Sequence, residues 1–342
     1  MQTKVVKKLY MGENLKSGLV KFLKTFIPLT FGLIVLWFII KSLDFNQVIL
    51  TLKKDVNYWI IVLSLPFGLF GQIMRAFRWD LLIRPLGYRP KKMNLIYSVL
   101  GNYGVNLAFP RLGEVWRCTM INRYEKIPFT KLIGTMIIDR VSDTVTVALI
   151  IIAAFIMNVP YFNSFFSQHP ETYTKLYDIL SSVWFDVGII VIVIIIWFSF
   201  WKFKENTVIK KVKQFLLSIW EGIRTIGQMK DNWLFILYTL LIWLGYFLYF
   251  YVCFFAFPFT KDLGWNRGLI AFGMGSLAMG VPVQGGVGAW QFMIIAALMG
   301  FGIGKDDAGA FAICVWTIQS LLFTAIYGLF GVMALPIVNR KK

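Results

Sequence analysis

The sequence is poor in the residues on which most enzyme and scaffold chemistries draw. It has one histidine, His169, and three cysteines. Mechanisms that need several histidines are excluded. So is a secreted disulfide scaffold, which is built from many paired cysteines, because Cys118, Cys253 and Cys314 all sit in or beside apolar segments. Acidic residues are scarce too, 17 Asp+Glu against 35 Lys+Arg, for a net charge of +18. Only 15% of residues are charged, where a soluble domain has roughly a quarter. No Gly-x-x-x-x-Gly-Lys-[Ser/Thr] loop is present to cradle nucleotide phosphates, so ATP is not an internal energy source.

What the chain has is apolar length. Of its 342 residues 58% are hydrophobic and 17% aromatic. Runs such as 187–201 and 233–258 cannot face water, which overrides the two soluble domains that length alone suggests. The expected fold class is an all-α polytopic membrane protein, one integral domain over residues 1–342 of a cell (inner) membrane. A transmembrane helix needs about 20 mostly apolar residues, and six segments qualify as full spans: 22–40, 59–83, 130–157, 184–201, 232–257 and 308–338. The Lys-rich start followed by an apolar run resembles a signal peptide, but Lys41-Ser42-Leu43-Asp44 offers no small-residue cleavage site. The expectation is an uncleaved first helix.

Two further apolar stretches, 93–123 and 268–301, are each broken near the middle, at Pro110-Arg111-Leu112-Gly113 and at Pro282-Val283-Gln284-Gly285-Gly286. Proline removes a backbone donor and clashes with the preceding turn, so neither reads as one straight helix. Charge decides between a kinked span and a re-entrant hairpin. With both stretches as hairpins and the N-terminus inside, residues 1–25, 84–131, 202–230 and the 340–342 tail hold 25 basic residues, and the outside loops hold seven. Full crossings would put the basic 202–230 loop outside, against the positive-inside rule. The sequence therefore predicts two re-entrant helical hairpins and both termini cytoplasmic. It also assigns most of the positive surplus to topology rather than to nucleic acid. Residues 203–230, with apolar positions at helical spacing among lysines, read as an amphipathic helix on the cytoplasmic face.

Pro110 and Pro282 lie 172 residues apart, each followed three residues later by Gly and each flanked by a long span on either side. The spans ahead of them open alike, at Asn57-Tyr58-Trp59 and Asp231-Asn232-Trp233. This predicts an inverted repeat, half A over 59–157 and half B over 232–338. Pro/Gly-interrupted segments at matching places in two inverted halves point to a transporter's binding site, since irregular backbone at membrane depth survives only where protein buries it or a cavity wets it.

Ionisable residues cluster in three places. Arg75 and Arg78 share a helix face in the second span. They either snorkel to headgroups or grip a lipid phosphate with their planar forks. Asn106, Arg111, Glu114 and Arg117 surround the first break, where Glu114 suits the start of the outgoing helix. They form either a structural ion pair or a substrate site, and charge on a broken membrane hairpin favours the site. Asp139, Arg140 and Asp143 form a compact polar face on the next span, either a structural knot or a charge-balancing or ion-coupling group. The second break offers Gln284, Gly285, Gly286 and Gln291 but no charge.

These residues resemble a known family. Arg75-x-x-Arg78-Trp79, Asn106-x-x-x-Pro110-x-x-Gly113-Glu114-x-x-Arg117, Asp139-Arg140-x-x-Asp143 and Gly285-Gly286-x-Gly288 are similar to the flippase-like membrane domain of lysylphosphatidylglycerol synthases, over nearly the whole chain. At two positions the sequence departs from that family, with Gln284 in place of Pro and Gln291 in place of Glu. Bifunctional relatives carry a soluble aminoacyl-transferase domain after the membrane domain, and the expectation here is a stand-alone member. The resemblance thus implies lipid handling without lipid synthesis. The expected function is a flippase or scramblase for a phospholipid or other polar-headed lipid, with no catalytic residues, no metal and no cofactor. A membrane enzyme on a lipid-linked substrate and an accessory membrane subunit are the alternatives.

Overall fold

A computed structural model describes residues 30–109, 112–159, 178, 187, 229–280 and 283–340, all helical or irregular and without strand. The expected span 184–201, nearly all of the 203–230 surface helix, both chain termini, Pro110, Arg111 and Pro282 lie outside the described residues. Among the described residues, four helices are long and apolar enough to cross a membrane, Tyr58–Leu86, Phe129–Met157, Asn232–Ala256 and Lys305–Val338. A fifth candidate is a bent pair. The first helix, α1 (Thr30–Lys41), turns through 87° into α2 (Phe45–Lys54). The sequence reading missed α2. Asp44 starts it, its Oδ1 accepting from the amides of Asn46 (3.0 Å) and Gln47 (3.3 Å), which satisfies two of the donors a helix N-terminus leaves open.

The chain divides into two units, residues 1–136 with 233–342, and residues 137–232. The first unit holds α3 (Tyr58–Ile83), α4 (Lys92–Ala108), α5 (Leu112–Glu125), the start of α6 (Phe129–Met157), α7 (Asn232–Tyr251), α8 (Gly264–Ala278), α9 (Ala289–Gly300), α10 (Lys305–Val315) and α11 (Thr324–Val338). Proline and glycine punctuate these helices. Pro85 and Gly87, the latter at φ +86°, end the α3 turn, and Pro128 precedes α6. Between α10 and α11 the helix widens into a π segment, Trp316–Phe323.

Both broken stretches are helix pairs that fold back on themselves. At the closed end of the first, Asn106 Nδ2 donates to Glu114 (3.2 Å). At its open end Asn94 Nδ2 donates to Glu125, so α4 and α5 run antiparallel. In the second, Gly275 of α8 lies against Trp290 and Ile294 of α9. The two breaks approach each other, with Leu107 and Trp316 packed around Gly285.

Lipid tails are as apolar as leucine, so close backbone approach rather than hydrophobicity holds such helices together. Glycines allow close approach at two crossings. A methyl group on Gly104 of α4 would sit 2.8 Å from the Cα of Gly328 on α11, and Gly101 and Gly331 meet one turn further along. On α3, Gly71 lies against Tyr246 and Gly68 against the ring of Tyr249, while Gly245 on α7 faces the Phe67 carbonyl. A buried polar knot locks this second seam. Gln319 Nε2, in the π segment, donates to Ser64 Oγ (2.8 Å) and to the Tyr249 carbonyl (2.6 Å), and Tyr249 Oη donates back to the Gln319 carbonyl (3.0 Å).

Candidate functional site

α3 turns one face inward along its length, through Ser64, Gly68, Gly71, Gln72, Arg75 and Arg78. Three- and four-residue spacing puts these on one stripe, and the stripe becomes cationic toward the C-terminal end. Arg75 is 3% exposed and Arg78 fully buried. Arg117 on α5 is also fully buried. The sequence picked out all three, and the structure brings them to the same end of the first unit.

Aromatic and hydroxyl groups seat each guanidinium. Arg75 Nε donates to Tyr246 Oη (3.2 Å) and its Cζ lies 5.6 Å from that ring's centre. Arg78 Nη1 donates to Thr239 Oγ1 (3.2 Å), with its Cζ 5.5 Å from the Phe235 ring. Arg117 stacks closest, 4.1 Å above Trp79, and the Trp79 Nε1–H donates to Thr135 Oγ1 (2.9 Å). Phe235, Thr239 and Tyr246 recur at spacings of four and seven along α7, one face of that helix. A guanidinium is weakly hydrated and stacks on rings, so it tolerates such a setting better than an ammonium. Asp80, next to Trp79 and 5% exposed, takes Arg84 at 2.5 Å.

The first break is tied by its own side chains. Asn106 Oδ1 accepts from the Gly113 amide (2.8 Å) while its Nδ2 reaches Glu114. Any side chain on Gly113 would collide with the Asn102 carbonyl and with Asn106. Asn106 and Glu114, read from the sequence as substrate contacts, are thus engaged in closing the α4–α5 turn. Arg111 lies outside the described residues. Asn106→Ala is expected to destabilise the protein by about 1 kcal/mol, the value of a capping bond. Faster hydrogen exchange at the 112–115 amides would check it, and unchanged protection there would count against this role.

The second break uses the same device. Gly285, Gly286 and Gly288 take φ of +57°, +69° and +78°, where a Cβ is strained. Gln291 Oε1, on a side chain 1% exposed, accepts from the Gly288 amide at 2.8 Å. The Gly285 carbonyl accepts from Trp316 Nε1 (2.8 Å). Gly288 presses against the Gly32 backbone on α1. Nothing is described for the Gln284 side chain. Gln291 therefore has a capping bond, which its place in the sequence did not reveal.

In the second unit, Arg140 Nη2 lies 3.5 Å from both Asp139 Oδ2 and Asp143 Oδ2. This is the internal pairing that the spacing allows. Asp139 is fully buried.

Comparison with known proteins places most of the chain. Residues 25–328 match the family described as the lysylphosphatidylglycerol synthase transmembrane region. A UPF0104 membrane protein of Methanocaldococcus jannaschii is 24% identical over 128 residues, 36% of this chain and 38% of the archaeal protein's own length.

Proposed function

The chain belongs to the family of the lysylphosphatidylglycerol synthase transmembrane region, and from that membership we propose that this multi-pass membrane protein moves a phospholipid or other polar-headed lipid between leaflets. The observation that carries the reading is the burial of Arg75, Arg78 and Arg117, at most 3% exposed, the first two on a helix long and apolar enough to cross a membrane. Charge at membrane depth is expensive and functional by default, and the guanidinium fork matches the oxygens of a phosphate. Movement of an intact lipid needs no bond made or broken, so the reading assigns no catalytic group.

The two breaks supply the means. In this reading the α4–α5 and α8–α9 pairs are re-entrant hairpins entering from opposite faces, and the helices form two inverted halves. Trp59 and Trp233 are 174 positions apart, and so are Gly71 and Gly245. A methyl group on Gly245 would lie 3.3 Å from the Gly71 Cα. Equivalent positions that touch across antiparallel helices support a two-fold axis in the membrane plane, the arrangement on which alternating access is built.

Charge supports an orientation. Asn94, Glu125 and Asn339 meet at one end of α4, α5 and α11, an end that carries Arg84, Arg89, Lys91, Lys92, Arg123, Lys126 and Arg340. The opposite end, where the Asn57 amide meets the Ala256 carbonyl and the Asp44 amide meets Asp306, mixes Lys53, Lys54, Lys261 and Lys305 with Asp55, Asp262 and Asp307. The positive-inside rule makes the first end cytoplasmic.

The test is reconstitution of the purified chain into liposomes with a tail-labelled phospholipid. Faster loss of signal to an impermeant quencher than in protein-free vesicles is expected. A protein that retains lipid but leaves that rate unchanged would sink the transport reading.

A further inference from the structure

Gln72 stands near the middle of α3, 5% exposed, one turn from Arg75 on the same face. Around the pair gather hydroxyls from three other helices. Tyr246 of α7 bonds Arg75 and lies beside Tyr103 of α4, and Tyr327 of α11 lies beside Gln72. Yet Gln72 Oε1 meets no hydrogen-bond donor among the described residues. A buried amide oxygen without a donor is costly in any protein interior, and more so where hydrocarbon rather than water surrounds the bundle.

We propose that Gln72 is the specificity-determining residue of the lipid site, its Oε1 accepting a hydrogen bond from an N–H or O–H on the headgroup while Arg75 holds the phosphate. The assignment rests on the lipid-handling reading above. The two residues are three positions apart on α3, about 4.5 Å along the helix axis, a spacing on the scale of the two- or three-carbon linker of a phosphoethanolamine or phosphoglycerol. Such headgroups carry both features, an anionic phosphate and a donor beyond it. Phosphocholine has the phosphate and a positive charge, but its quaternary nitrogen bears no hydrogen. Bound there, it leaves the Gln72 oxygen without a donor. A site built to hydrogen-bond a group discriminates against the analogue that lacks it, because the protein's own polar atom is then left unpaired.

The experiment compares tail-labelled phosphatidylglycerol, phosphatidylethanolamine and phosphatidylcholine on the full chain, both as lipid retained through purification and as rate of movement in liposomes. Wild type is expected to retain the first two about fivefold or more over phosphatidylcholine, the worth of one hydrogen bond of roughly 1 kcal/mol. Gln72→Met, close in volume but without the acceptor, is expected to bring them down to the phosphatidylcholine level and to leave phosphatidylcholine unchanged. Equal retention of all three by wild type, or an equal fall of all three in Gln72→Met, overturns the assignment. Should Gln72→Met not fold, Gln72→Glu answers the same question. Its acceptor-only carboxylate is expected to raise phosphatidylethanolamine over phosphatidylglycerol, and an unchanged ratio overturns the assignment. A wild type that moves no lipid yet shows Gln72-dependent retention would remove the transport reading and keep this site.

Discussion

Arg117→Met is expected to slow lipid movement by about ten- to a hundredfold while changing the melting temperature little. Arg117 is fully buried, and its guanidinium lies 4.1 Å over the Trp79 ring. A hydrogen bond to a charged group is worth about 1.5–3 kcal/mol, and each 1.4 kcal/mol is a factor of ten. Removing the cation takes that much from a bound phosphate. Methionine occupies similar volume and can keep contact with the indole, so the packing against Trp79 is retained. The two readouts separate the roles. A structural arginine would lower the melting temperature along with the rate, and that joint fall would count against a substrate role. Arg117→Lys keeps the charge but loses the planar stack, so an intermediate rate is expected.

Gly104→Leu is expected to cost the protein its fold rather than its activity. A Cβ at this position would stand 2.8 Å from the Cα and the carbonyl carbon of Gly328. Both are backbone atoms, and no side-chain rotamer can relieve the clash. α11 would have to withdraw from α4 along its length, opening the Gly101–Gly331 approach and the contact between Asn94 and Asn339 as well. Overpacking typically costs about 1–3 kcal/mol, and here the neighbour cannot yield, so about 3 kcal/mol or more is expected. Against a total stability of roughly 5–15 kcal/mol, that is a marginal protein. Gly134→Leu is the control, because a Cβ on Gly134 of α6 meets nothing within 4 Å. Thermal melts by size-exclusion fluorescence would compare the two, and a Gly104→Leu protein that melts with wild type would refute the crossing.

Much of the backbone plan was legible in the sequence. The chain's apolar length gives the membrane class, and prolines and glycines mark where the helices stop. The expected break at 110–113 falls between α4 and α5, and the one at 282–286 between α8 and α9. α2 was not legible. It is only ten residues long and too polar to register as a span, and the capping contact of Asp44 is a property of the folded turn. At the site the arginines were legible because charge stands out in an apolar run. Their seats were not. Thr239 and Tyr246 look like ordinary residues of an apolar span about 160 to 170 positions from Arg78 and Arg75, and only the antiparallel packing of α3 on α7 makes them partners. The amides of Asn106 and Gln291 show the reverse limit. Their residue type fits ligand binding and loop closure equally, and only the hydrogen bond to Gly113 or Gly288 shows the second use.

The widened turn at Trp316–Phe323 has a rotational consequence. Trp316 addresses Gly285 in the second break, and Gly328 addresses Gly104 near the end of α4, two targets that Leu107 brings side by side. On an uninterrupted α-helix, positions twelve apart point about 120° away from each other at ~100° per residue. A π turn takes up an additional residue and reduces that divergence to about 20°. The bulge therefore acts as a phase corrector, letting the longest apolar helix among the described residues keep two distant contacts in register. Shortening it by one residue would swing Trp316 some 100° off Gly285 and uncouple the second break from the helix that steadies it.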